Sequence, residues 1–114
     1  MIRKSYLKYY HYLIEISDVK QRILNDPNLL AYAKSFAQKL GIKVLKSIKH
    51  EFQPLGTTIL LILSFSHLSL HTWPEHDYIH IDLLSCNRLN KTNIKSIAKK
   101  IFESKSVILR QIHY

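Results

Sequence analysis

The sequence predicts an α/β protein of the α+β type, a two-layer α/β sandwich in which two helices cover one face of a mainly antiparallel sheet. Three observations predict it. Residues 10–16, 66–73 and 78–83 alternate apolar with polar side chains, the period-2 pattern of half-buried strands. Two other stretches, around 29–40 and 92–103, carry apolar residues at three- and four-residue spacing. A chain of 114 residues also holds one core of ordinary size and no more, so 1–114 reads as a single domain.

The first strand is rich in aromatic and branched residues: Tyr10, Tyr12, Ile14 and Ile16 alternate with His11, Leu13 and Glu15. Asp26-Pro27 then signals a helix start, Leu29, Leu30, Ala33, Phe36, Ala37 and Leu40 form its buried stripe, and Gly41 ends it after about four turns. A less clearly patterned strand is expected over 42–52, closed by the turn Gln53-Pro54-Leu55-Gly56. The run TTILLILS reads as a short, central apolar strand.

SHLSLHTW follows as another strand, with Ser66, Leu68 and Leu70 on one side and His67, Ser69 and His71 on the other; Trp73-Pro74 ends it, because proline supplies no ladder donor. Tyr78 to Leu83 pairs with it, placing Ile79, Ile81 and Leu83 opposite His80 and Asp82. A helix with Ile94, Ile97, Ala98, Ile101 and Phe102 on its buried side and a last strand over 107–112 complete the order β-α-β-β-β-β-α-β.

Composition narrows the function classes. There are 17 Lys plus Arg against 8 Asp plus Glu, a net charge of +9. The lysines are scattered over helix faces and element ends without an arginine-rich strip, which argues against nucleic-acid binding. One cysteine excludes an intrachain disulfide and any thiolate zinc cluster. The basic N-terminus is interrupted by His11 and Glu15 and makes a poor signal peptide, and the longest apolar run falls far short of the roughly 20 residues that span a bilayer. A soluble, cytoplasmic protein is the expectation.

Chemistry crowds into residues 64–86, SFSHLSLHTWPEHDYIHIDLLSC, which hold four serines, four histidines, three carboxylates, the only Trp and the only Cys. The histidine spacing fits no compact zinc motif, although His67 and His71 share a strand face and Glu75 or Asp77 could join them. There is no GxSxG elbow, so a serine near a histidine is weak ground for a hydrolase. Taken alone, Cys86 reads better as a small buried hydrophobe at a strand end than as a nucleophile. Trp73 reads as packing beside the turn that Pro74 fixes, and His76 and His80 as ordinary surface or half-buried residues.

The run PLGTTILLILSFSHLSLHTWPEHDYIHIDLLSC resembles the signature of the prokaryotic S-adenosylmethionine decarboxylase proenzymes, in which a Ser-His-Leu-Ser-hydrophobic-His-Thr-Trp-Pro-Glu block precedes an alternating strand ending in Cys. Residues 66–75 match almost letter for letter. HYLIEI near the start and Phe52-Gln53-Pro54-Leu55-Gly56 extend the likeness over most of the chain.

The resemblance implies self-cleavage between Phe65 and Ser66. The Ser66 hydroxyl attacks the preceding carbonyl, the peptide becomes an ester, and β-elimination separates a β chain, 1–65, from an α chain, 66–114. The dehydroalanine left at residue 66 tautomerises and, on hydrolysis by water, loses ammonia to become a pyruvoyl group, the only cofactor implied, with no metal. That group would form a Schiff base with S-adenosylmethionine and accept the electrons left by carbon dioxide, giving decarboxylated S-adenosylmethionine for spermidine synthesis. By the same resemblance His71 is the processing histidine, Cys86 the acid that reprotonates Cα, Glu75 the carboxylate that binds the ribose, Phe52 the aromatic beside the adenine, and Thr58 a hydroxyl in place of the usual serine. Any steering of the cationic substrate would fall to Glu15, Glu75, Asp77 and Asp82. A homodimer of αβ protomers is implied, without nucleic acid or membrane.

The chain departs from the pattern at Phe65, where the family usually has Glu, at Asn87, usually Gly, and at Tyr9-Tyr10-His11, usually Gly-Arg-His. Two alternatives therefore stay open: a pyruvoyl decarboxylase of another amino acid, such as arginine or ornithine, and a decayed or regulatory homologue that is not cleaved.

Overall fold

The computed structural model describes residues 8–113. Six strands form one sheet: β1 (Tyr10–Ser17), β2 (Val44–Glu51), β3 (Thr57–Leu63), β4 (Ser66–Trp73), β5 (Tyr78–Ser85) and β6 (Ser106–Ile112). Their order is β2-β3-β4-β5-β1-β6, and every neighbouring pair is antiparallel. Strands β2 to β5 form a meander, and β1 fills the place between β5 and β6. Three helices accompany the sheet: α1 (Gln21–Leu24), α2 (Leu29–Lys39) and α3 (Lys91–Ile101).

The fold class is as the sequence predicts, with one more helix. The four residues of α1 are too few to show a helical period, yet Ile23 and Leu24 are buried and tie the turn to the core. Helix α2 starts later than the Asp26-Pro27 signal suggests. The Asp26 carboxylate instead accepts the Asn28 backbone N–H at 2.8 Å, so the segment before Leu29 is a turn and the helix has 11 residues, about three turns. Helix α3 has a side-chain cap, the Asn90 carbonyl oxygen accepting the Asn93 N–H at 2.9 Å.

Strand alternation sorts the sheet into two faces. Tyr12, Ile14, Ile16, Ile59, Leu61, Leu63, Leu68, Leu70, Ile79, Ile81 and Leu83 point at the helices and are buried with Ala33, Phe36 and Ala37 of α2 and Ile94, Ala98 and Phe102 around α3. Each large aliphatic side chain so buried stabilises the fold by about 1.5–3 kcal/mol. The alanines keep the helices close, and Phe36 meets Phe102 with ring centroids 6.2 Å apart. The buried Tyr12 hydroxyl is satisfied by Leu89, accepting its N–H at 3.0 Å.

The opposite face carries no helix. Registered residues form rows across it: Ile48, Leu60, Ser69, Asp82, Leu13 and Arg110 in one, and His50, Thr58, His71, His80, Glu15 and Ile108 in the next. Its β2–β3 corner is apolar and open, with Ile48, Leu60 and Ile62 between 46% and 64% exposed.

Candidate active site

The β3–β4 connection has two residues, Ser64 and Phe65, between the paired Leu63 and Ser66. Phe65 has φ +61 and is 93% exposed. That backbone region favours Gly or Asn, and a bulky residue there stores strain of about 1–2 kcal/mol. The expected cleavage junction therefore sits at a tight hairpin tip, its first residue strained and wet.

Two reactive side chains converge beside this tip. Ser66 Oγ donates to the Ser64 carbonyl oxygen at 3.5 Å, and Cys86 Sγ approaches the same oxygen at 3.9 Å. Cys86 follows the end of β5 and is exposed, which corrects the reading of it as a buried hydrophobe: the strand's buried phase ends on Ser85. Ser85 fixes the turn that presents the thiol, its hydroxyl donating to the Asn87 carbonyl at 2.7 Å and accepting the Asn87 N–H at 3.1 Å. A cleft of about 330 Å³ lies here, lined by the Gly41–Lys43 connection, the hairpin tip and Ser85 to Asn87.

A second cluster occupies the far end of β4. Thr58 Oγ1 lies 2.6 Å from His71 Nδ1, across the β3–β4 ladder that pairs the two residues. The imidazole is flanked edge-on by Trp73, with centroids 4.0 Å apart, and by Phe52 at 5.8 Å; the ring series continues to His50 on one side and Tyr78 on the other. Burial holds the His71 pKa below its ordinary value; Glu75 pulls it back up and His80 lowers it further. Burial likewise raises the Tyr78 phenol, with Glu15 adding to the effect.

Glu75 is carried, exposed, by the one-turn 3₁₀ helix Pro74–His76, whose Pro74 is buried. Gln21 anchors that turn by donating to the Pro74 carbonyl at 2.7 Å and to the Asp77 carboxylate at 2.6 Å. Asp77 itself has φ +51, a conformation that Asp tolerates better than most residues. Thr72, buried beneath the cluster, accepts the Thr57 N–H at 3.0 Å and so locks the start of β3 to the end of β4.

The sequence-predicted residues thus fall into two groups. Phe65, Ser66 and Cys86 meet at one end, while Phe52, Thr58, His71 and Glu75 gather at the other. His71 is five residues along β4 from Ser66, about 16 Å at strand rise, and one chain does not bring them together. The histidine-carboxylate metal set is not assembled either: among the described residues no three His, Cys, Asp or Glu side chains are placed to hold an ion. Asp82 is engaged by His11 at 2.7 Å and Glu15 by Arg110 at 3.6 Å, leaving Glu75 as the carboxylate whose charge bears on His71.

The family model of S-adenosylmethionine decarboxylase matches residues 10–113. The chain belongs to the S-adenosylmethionine decarboxylase family. The S-adenosylmethionine decarboxylase proenzyme of Clostridium botulinum (strain Langeland) is 31% identical over 105 residues, 90% of each chain. That of Prochlorococcus marinus (strain MIT 9313) is 39% identical over 77 residues, which are 67% of this chain and 62% of that protein; the chain thus spans under two thirds of that relative's length. The crystal structure of the adenosylmethionine decarboxylase from Aquifex aeolicus VF5 shares the fold, with a TM-score of 0.75 at 20% identity over 91% of this chain and 88% of that one.

Two neighbours of His71, Trp73 and His80, are not among the site residues that the sequence reading singles out. Trp73, read from the sequence as packing beside the turn, lies against the imidazole and is 38% exposed. The available signal was its i+2 position from His71 on one strand face. His80 is directly across from His71, a relationship that only the β4–β5 register reveals.

Proposed function

We propose that the chain is a self-cleaving S-adenosylmethionine decarboxylase that works through a pyruvoyl group made from Ser66. The observation that carries this reading is the convergence of Ser66 and Cys86 on the Ser64 carbonyl at a strained hairpin tip. Self-cleavage needs the Ser66 hydroxyl free to attack the Phe65 carbonyl carbon. Phe65 lies in the two-residue turn, outside the paired Leu63 and Ser66. The new C–O bond forms as the C–N bond breaks, the hydroxyl proton passing to the amide nitrogen. Removal of the Ser66 α-proton then expels the Phe65 carboxylate.

The residues present fit a pyruvoyl group at position 66, because Cys86, a proton donor, stands within reach of the same hairpin. The group supplies an electrophilic carbonyl and an electron sink for the charge left when carbon dioxide departs. Cys86 holds the proton that returns to the substrate Cα. Glu75 accepts hydrogen bonds from ribose hydroxyls, Phe52 supports the adenine, and the aromatic series around His71 suits the sulfonium charge. The product would serve spermidine synthesis, and the proposed setting is the cytoplasm.

Separation of Ser66 from His71 supports a homodimer. If both act in one processing event, His71 must come from a second copy. The helix-free face, with Ile48, Leu60 and Ile62 exposed, is a surface that a second sheet could cover. The activity is tested by supplying carboxyl-labelled S-adenosylmethionine, arginine and ornithine in parallel. Labelled carbon dioxide from S-adenosylmethionine alone is expected; release from another amino acid, or from none, overturns the assignment.

A further inference from the structure

The β4–β5 register makes His71 and His80 direct Cα partners, and both side chains are half-buried on the helix-free face. Directly opposed residues in an antiparallel pair have Cβ atoms about 4.5–5.5 Å apart. The His71 ring is already held by Thr58 at Nδ1 and by Trp73 and Phe52 at its sides. His80 is therefore the titratable side chain directly opposite it across the β4–β5 ladder. We propose that His80 is a positioning residue that helps, together with burial, to keep the His71 imidazole able to take up a proton during self-cleavage. The proposal rests on His71 being the processing histidine.

The physical case is a balance of opposing charges. Glu75 serves substrate binding in the reading above, but its carboxylate favours a proton on His71. A base that is already protonated cannot act. Burial opposes that protonation, and so does His80, since two facing imidazoles are costly to charge together. The other groups around His71 are more remote or already paired. His50 of β2 lies beyond Thr58 and rests on Phe52; Glu15 of β1 lies beyond His80, with Arg110 of β6 at 3.6 Å; Tyr78 of β5 rests on Trp73. His80 acts on His71 in the direction opposite to Glu75.

The sign follows. A positive charge at position 80 moves His71 protonation to lower pH, and a negative one moves it to higher pH. Self-cleavage that depends on neutral His71 moves its acid limb in the same direction.

The test is an NMR titration of His71 in the uncut Ser66→Ala chain, with His80→Lys, His80→Ala and His80→Glu introduced in turn. The expected midpoints rise in the order Lys, Ala, Glu. The same three substitutions in the cleavable chain should shift the acid limb of the self-cleavage rate in that order. Equal His71 midpoints in the His80→Lys and His80→Glu chains would overturn the coupling. Shifted midpoints with an unmoved acid limb would overturn its role in cleavage. An ordered titration in a chain that never cleaves would sustain the coupling and overturn the enzymatic reading instead.

Discussion

Thr58 and His71 face each other across β3 and β4, the hydroxyl oxygen 2.6 Å from Nδ1. This contact fixes the ring's tilt and leaves Nε2 as its other polar atom. Thr58→Ser keeps the hydroxyl and is expected to self-cleave nearly as the parent does. Thr58→Val keeps the shape but removes the partner, and slows cleavage by roughly 10²-fold if His71 is a true acid-base group. The appearance of the two fragments over time checks both. Equal rates for Ser and Val would remove Thr58 from the site.

Cys86 separates maturation from turnover. The thiol's assigned task begins only after the pyruvoyl group exists, so Cys86→Ala is expected to cleave between 65 and 66 yet release carbon dioxide about 10²-fold more slowly or worse. Parallel mass spectrometry and labelled-carbon-dioxide assays read the two steps. Full turnover in the Ala chain would return Cys86 to a structural role.

Phe65 makes a stability prediction that is independent of catalysis. Its φ of +61 suits glycine, and at 93% exposure its ring contributes little packing. In a Ser66→Ala background, Phe65→Gly is expected to stabilise the chain by up to about 1 kcal/mol, the strain relieved being partly offset by glycine's greater backbone entropy. Urea unfolding measures it, and a clear loss of stability would contradict the strained-tip description.

Completion of the site by two copies predicts complementation. Ser66→Ala lacks the nucleophile but keeps His71, and His71→Ala keeps the nucleophile but lacks the base. Each alone is expected to stay uncut. Co-expressed and mixed in one dimer, the His71→Ala chain should be cleaved. Persistent absence of cleavage in a mixture shown to contain heterodimers would place both groups' chemistry within one chain, which the 16 Å estimate for five strand residues opposes.

Much of the fold was legible because side-chain period reports burial directly. Leu68 and Leu70 on β4, and Ile79, Ile81 and Leu83 on β5, are buried residues two apart within their strand, and Pro74 marks the end of β4. Local signals were less reliable where several competed: Asp26 looked like a helix cap and instead closes a turn onto Asn28, and α1 was too short to show a period. At the site, the residue types and their block were legible, whereas their meeting was not. Partnership of His71 with Thr58 and His80 depends on hairpin register, which no spacing within β4 encodes. Exposure of Cys86 depends on where the ladder stops, one residue before it.

The most direct test of the central claim is the intact mass of the purified protein under denaturing conditions, beside Ser66→Ala. The account predicts two fragments meeting at the 65/66 junction, an α chain that lacks an N-terminal amine, and neither fragment in the Ser66→Ala control. A single full-length chain of 13.5 kDa that persists through prolonged incubation would contradict it.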